Sequence, residues 1–212
     1  MSILFCYLAA YLLGSLPFGV WVAKVCGVDI TAQGSGNTGA TNVARTLGKG
    51  PGTLVLVLDV VKGTGAALAG PWMVASGWLP EGPPHGLLLG ITAVIGHTAS
   101  PWLRFKGGKG VATGLGAVLA ATPVAGLCGL VVFGVLMVVS RIVSLSSLVA
   151  AAVIWGVAVY RNPDWRFVVP MTILIGYVFY RHRANLSRLR RGEEPRFKFG
   201  ARRGEEAKSV PR

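Results

Sequence analysis

Two short stretches of this chain combine glycines with groups that bind oxyanions. The first reads Gly34-Ser35-Gly36-Asn37-Thr38-Gly39-Ala40-Thr41-Asn42 and is followed by Arg45. Its glycines permit tight turns, and its hydroxyls, amides and backbone N–H groups can all face an anion. The second, Arg104-Phe105-Lys106-Gly107-Gly108-Lys109-Gly110, sets three cations and three glycines directly before an apolar run that opens at Val111. Free N–H groups at a helix start, flanked by lysines, hold a phosphate by electrostatics. Charge alone does not require glycine, so the glycines argue for close backbone approach rather than a merely basic loop.

Neither stretch is a nucleotide loop. The first formally matches G-x-G-x-x-G, with Asp59 where a ribose-binding acid would stand, but apolar runs surround both and the strand–turn–helix context is missing. In the second, Gly110 occupies the place where a Walker loop needs Ser or Thr. There is no G-x-S-x-G elbow, and none of the three histidines is followed by Asp at the fifth position. Cys6, Cys26 and Cys128 lie in or at the end of apolar runs without metal-ligand spacing, so neither metal nor cofactor is expected.

Other polar groups are weaker signals. His97 sits inside an apolar run, where it either hydrogen-bonds a neighbouring helix or serves as a base. Asp59 and Lys62 have the i, i+3 spacing of a structural ion pair on one helix face. Arg141 with Ser144, Ser146 and Ser147 opens one apolar run, and Arg181-His182-Arg183-Ala184-Asn185 follows the last. Arg190-Arg191-Gly192-Glu193-Glu194 recurs as Arg202-Arg203-Gly204-Glu205-Glu206, which reads as low complexity without chemistry of its own.

The elements that must position these groups are transmembrane helices. The chain is 52% hydrophobic with a mean hydropathy of +0.59, and several stretches meet or approach the roughly 20 apolar residues that a span needs. Apolar runs cover 3–26, 54–75, 86–103, 111–140, 142–160 and 167–180. The long run 111–140 is the ambiguous one, and Pro123 after Thr122 disfavours a continuous helix there. Parity favours two short helices. Lys24 puts the end of the first span inside, and only an extra crossing returns the tail, with 11 Lys/Arg against 4 Glu from Arg181 onward, to the same side. The expectation is an all-α integral membrane protein of seven transmembrane helices, amino terminus out and carboxyl terminus in. Residues 1–194 form the membrane domain and 195–212 a basic, disordered cytoplasmic tail near anionic lipid; nucleic acid is not expected as a partner.

Two anion cradles on one membrane face call for two phosphate-bearing substrates, and the bilayer calls for a lipid among substrates or products. With no hydrolytic nucleophile, an acyl group must arrive already activated. The competing reading is a small-anion, phosphate-like transporter or channel. Transporters hold substrate near the midplane between repeated halves, whereas these motifs are one-sided and the membrane region shows no repeat.

Taken together, the 34–45 stretch, Gly96-His97 with residues 105–113, Ser144-Leu145-Ser146-Ser147, and Asn185 with Arg188 and Gly192 resemble the acyl-phosphate-dependent glycerol-3-phosphate acyltransferase family, PlsY. The resemblance covers roughly 4–194. It implies transfer of a fatty acyl group from acyl phosphate, made by a soluble phosphate acyltransferase, to the 1-hydroxyl of glycerol 3-phosphate, yielding lysophosphatidate and phosphate. It also implies a multi-pass protein of the bacterial inner membrane with its active site facing the cytoplasm. On that resemblance Lys109, Ser35, Asn37 and Asn185 are catalytic. Arg45, Lys106, Gly107, Gly108, Gly110, Ser147, His182 and His97 bind substrate or phosphate. Which cradle takes which phosphate is open at this level, and a phosphoryl oxygen of the donor is the expected proton acceptor, with His97 as the alternative base.

Overall fold

The computed structural model describes residues 3–197, and every regular element in them is helical. In chain order these are α1 (Ile3–Ser15), α2 (Phe18–Val25), α3 (Ala40–Leu47), α4 (Lys49–Ala75), α5 (His85–Thr98), α6 (Val111–Ala121), α7 (Pro123–Ser140), α8 (Val143–Arg161), α9 (Trp165–Arg181) and α10 (Arg183–Arg190). Among the described residues five segments are long and apolar enough to cross a membrane: Ile3–Val25, Lys49–Ala75, His85–Leu103, Pro123–Ser140 and Val143–Arg161. The expected disorder of the tail from 198 onward falls outside the described residues. The protein is an all-helical integral membrane protein, and its large outward side chains, such as Val131 (64% exposed) and Val139 (77% exposed), suit contact with lipid.

Proline decides two boundaries. The long run 111–140 does break at Thr122, with α7 starting on Pro123, whose missing N–H costs nothing at a first helical position. The first run, read as one span, is also divided: α1 ends at Ser15 and α2 begins after Pro17. That break frees carbonyls inside the bilayer, and in lipid these need internal donors. Lys62 Nζ donates to the Leu16 carbonyl (3.0 Å) and Ser100 Oγ to that of Ser15 (2.7 Å). Trp102 Nε1 donates to Ser15 Oγ (2.9 Å) and Tyr11 Oη to the Ala99 carbonyl (2.7 Å), so the broken span is strapped to the end of α5.

Without a hydrophobic drive between helices in lipid, close packing of small residues does the work. A Cβ on Gly14 would lie 2.1 Å from the Ala93 carbonyl oxygen, and one on Gly63 2.0 Å from that of Thr113, so α1 meets α5, and α4 meets α6, backbone to backbone. The main core joins Leu87 and Val94 of α5, Val118 of α6, Ala125 of α7, Ile154 of α8 and Met171 and Leu174 of α9. A second apolar cluster, Ala23, Ile30, Val43, Leu47 and Val55, seats α2 and α3 on α4 and thereby the first glycine-rich loop on the bundle.

Candidate active site

The loop before α6 is shaped by its own backbone. Arg104 and Phe105 both adopt positive φ (50° and 61°), and the Phe105 and Gly107 N–H groups donate to the carbonyls of Ser100 (2.9 Å) and Thr98 (3.0 Å). Gly110 caps α6 at φ 80°, where a side chain would also press on Val94. No side chain caps the first turn of α6, which leaves its N–H groups facing the loop. From α9, Arg181 Nη2 donates to the carbonyls of Gly107 (3.2 Å) and Gly108 (2.8 Å). In planar trans peptides this turns the N–H groups of Gly108 and Lys109 the opposite way. The result is a rigid set of backbone donors at a helix amino terminus.

Lys109 connects this loop to the far end of the chain. Its Nζ donates to Asn185 Oδ1 at 2.6 Å, and Asn185 Nδ2 donates to Glu194 Oε1 at 2.6 Å. The same oxygen accepts from Ser144 Oγ (2.7 Å), and Glu194 Oε2 accepts from Arg188 Nε (2.7 Å). Gly192 delivers Glu194: at φ 70° it ends α10 and reverses the chain, with Gly192 N–H on the Leu189 carbonyl and Glu193 N–H on that of Arg188. Burial pushes the Glu194 carboxyl up, but the bonds from Asn185, Ser144 and Arg188 outweigh it and hold it below the usual carboxylate range. Burial lowers the Lys109 pKa to about 8, against the pull of Glu194 and with the help of Arg188, Arg45 and Arg181.

The first loop is organised from within. Buried Asn42 accepts from Ser35 N–H (3.0 Å) and donates to the carbonyl of Gln33 (3.0 Å), while Asn37 Oδ1 accepts from Gly39 N–H (2.9 Å) just ahead of α3. Ser35 is exposed, and the Asn37 carbonyl is committed to that turn. Arg45 Nη2 donates to the Pro195 carbonyl (3.2 Å), and its charge is close enough to Lys109 to bear on its pKa, so this loop and the second meet across the segment after α10.

His182, at the α9–α10 junction, is buried and donates Nδ1–H to the Val178 carbonyl (2.8 Å), which leaves Nε2 as an acceptor; burial lowers its pKa and keeps it neutral. Ser147 donates to the Val143 carbonyl within α8 and lines a cavity with Gly110, Val111, Gly114, Val118 and Ile154. This cavity is almost wholly apolar and runs from the loop before α6 into the space between α6, α7, α8 and α9.

Of the residues expected from sequence, Lys109, Gly107, Gly108, Gly110, Asn185, His182 and Arg45 converge. Lys106 is exposed without a partner among the described residues. Ser144 rather than Ser147 enters the polar network, and Glu194, dismissed with its low-complexity repeat, is its hub. The readable signal was Gly192, the C-cap glycine that turns this carboxylate back.

The profile of a family described as glycerol-3-phosphate acyltransferase matches residues 4–192. The chain belongs to that family. A glycerol-3-phosphate acyltransferase of Thermosynechococcus vestitus is 45% identical over 202 residues, covering 93% of this chain and 95% of the relative. One of Geobacillus kaustophilus is 43% identical over 197 residues, covering 92% and 96%. A crystal structure of PlsY, an integral membrane glycerol 3-phosphate acyltransferase in its glycerol 3-phosphate form, superposes with a TM-score of 0.83 at 39% identity, covering 92% of this chain and 95% of that one. Its lysophosphatidic acid form gives 0.81. Like these glycerol-3-phosphate acyltransferases, the chain is a bacterial membrane enzyme that transfers acyl groups.

Proposed function

We propose that the chain moves a fatty acyl group from acyl phosphate to the 1-hydroxyl of glycerol 3-phosphate. The observation that carries this reading is the juxtaposition of a cationic, donor-rich loop with the mouth of an apolar cavity, which suits a phosphate head and an acyl tail on one donor. The hydroxyl oxygen bonds to the acyl carbonyl carbon, and the bond from that carbon to the phosphate oxygen breaks. Phosphate leaves with the electron pair and takes the hydroxyl proton on one of its own oxygens, so the protein needs no strong base.

The protein's part is positioning and charge stabilisation. The Lys109 ammonium, majority-protonated at pH 7 with its pKa about 8, and the N–H groups of Gly108, Lys109 and the α6 start stabilise the growing negative charge. Lys106 assists from the rim. Ser35, Asn37 and Arg45 take the second phosphate or orient the glycerol, while Asn185, Ser147 and the His182 acceptor complete the pocket. The short α6 and the 17-residue α9 make seven spans with the five long segments, with the amino terminus out and the carboxyl terminus in. The site then opens to the cytoplasm from the inner membrane, where a soluble phosphate acyltransferase supplies the donor. Purified protein should acylate radiolabelled glycerol 3-phosphate with acyl phosphate and not with acyl-CoA; the reverse preference refutes the donor assignment.

A further inference from the structure

Three buried polar side chains in the spans take no part in that reaction. Lys62 Nζ lies 2.8 Å from Asp59 Oδ1, 3.0 Å from the Leu16 carbonyl oxygen and 2.9 Å from His97 Nδ1. An ammonium has three donors and no acceptor, so His97 Nδ1, 2.9 Å from Lys62 Nζ and farther, at 3.5 Å, from Asp59 Oδ1, accepts from it. The ring proton therefore sits on Nε2. Both nitrogens are thus unsuited to take a proton from substrate, which removes His97 from the role of base.

What Nε2 faces is the phosphate loop. A Cβ built on Gly108 would lie 2.2 Å from His97 Nε2 and 3.0 Å from its Cε1, and one built on Gly107 would lie 2.0 Å from the His97 carbonyl oxygen. The side chains that these two glycines lack would both fall on His97. On the neighbouring residue, the Thr98 carbonyl holds Gly107 N–H, and Arg181 grips the Gly107 and Gly108 carbonyls. The glycine pair therefore makes room for the protein's own histidine, whatever further room it makes for substrate.

We infer that His97 is a positioning residue: its ring is the floor on which the Gly107–Gly108 stretch rests, and it sets where Lys109 and the α6 amino terminus stand. Lys62 and Asp59 hold that ring in one orientation and one tautomer, and Lys62 ties it to the carbonyl freed by the α1–α2 break. The brace therefore links the broken first span and α4, through α5, to the loop. The inference rests on the reading of that loop as a phosphate site.

The test is a compensation experiment on purified, folded protein. Gly108→Ala should lower kcat/KM on the order of 10²-fold, the scale of an ångström-sized misplacement, and adding His97→Ala should recover at least about tenfold by clearing the ring. Gly107→Ala should not be rescued by His97→Ala, because its obstacle is a backbone oxygen that the substitution keeps. Absence of rescue at Gly108, or equal rescue at Gly107, overturns the inference. A measurement on the unmutated chain guards against variants that fail to fold: the ¹⁵N spectrum, with His97→Gln for assignment, should show Nε2 protonated and Nδ1 bare through neutral pH, and a bare Nε2 overturns it too. Lys109→Ala is assayed alongside. Near-normal turnover there sinks the loop reading and this inference with it, whereas strong loss there with no rescue at Gly108 sinks the inference alone.

Discussion

Replacing Glu194 by Gln tests whether one carboxylate aims Lys109. The substitution keeps an oxygen for Ser144 and Asn185 but offers an amide where Arg188 donates, so a charge-assisted bond becomes a clash of donors. Arg188 is 36% exposed, so solvent screens its half of the pair and the loss is at the low end of about 1–3 kcal/mol. Glu194→Ala also strands the buried Ser144 and Asn185 groups and should cost about 2–5 kcal/mol. The catalytic effect has a definite sign. Glu194 is the carboxylate that supports the Lys109 charge, while Arg188, Arg45 and Arg181 oppose it. Loss of its charge must therefore drop the Lys109 pKa below about 8. If the ammonium is the working form, the wild-type rate falls as pH rises through about 8, and in Glu194→Gln that alkaline limb moves to lower pH. The assay is kcat/KM for glycerol 3-phosphate across neutral to alkaline pH, with thermal unfolding in detergent beside it. An alkaline limb that stays in place in a folded Glu194→Gln protein refutes the coupling.

Lys109→Ala should cut turnover by at least ~10²-fold, as expected for one preorganised donor, with Lys109→Arg rescuing in part; steady-state kinetics on folded protein decide it. Because folding lowers the Lys109 pKa from 10.5, its charge costs stability below about pH 8, and the cost vanishes above the unfolded value. The melting temperature of wild type relative to Lys109→Met should therefore rise between pH 7 and pH 10.5, and a difference that stays flat with pH refutes the burial cost. A Cys introduced at Glu81 should react with a membrane-impermeant reagent from outside and one at the exposed Lys106 only from inside; reversed labelling defeats the cytoplasmic site. Ala151→Phe, which fills the apolar cavity, should shift preference toward shorter acyl phosphates, and an unchanged chain-length profile would place the acyl chain elsewhere.

The sequence by itself determined what local chemistry and periodicity encode. Apolar run lengths marked the membrane helices, Pro123 marked the α6–α7 break, i, i+3 spacing paired Asp59 with Lys62, and the Lys-Gly-Gly-Lys loop stood directly before a helix start. Each of these depends on residues within a turn or two of one another. Only the tertiary structure decided which distant groups complete the site. Ser144 and Ser147 lie on one face of α8, yet a separation of about 4.5 Å along the axis leaves one on Glu194 and the other at the cavity wall. Glu194 was lost in a repeat with Glu206 because composition does not reveal that Gly192 folds one copy back against Asn185 and Arg188. The glycines at 107 and 108 spoke for close approach, but the approaching group, His97, arrives from another helix, and no local pattern names it.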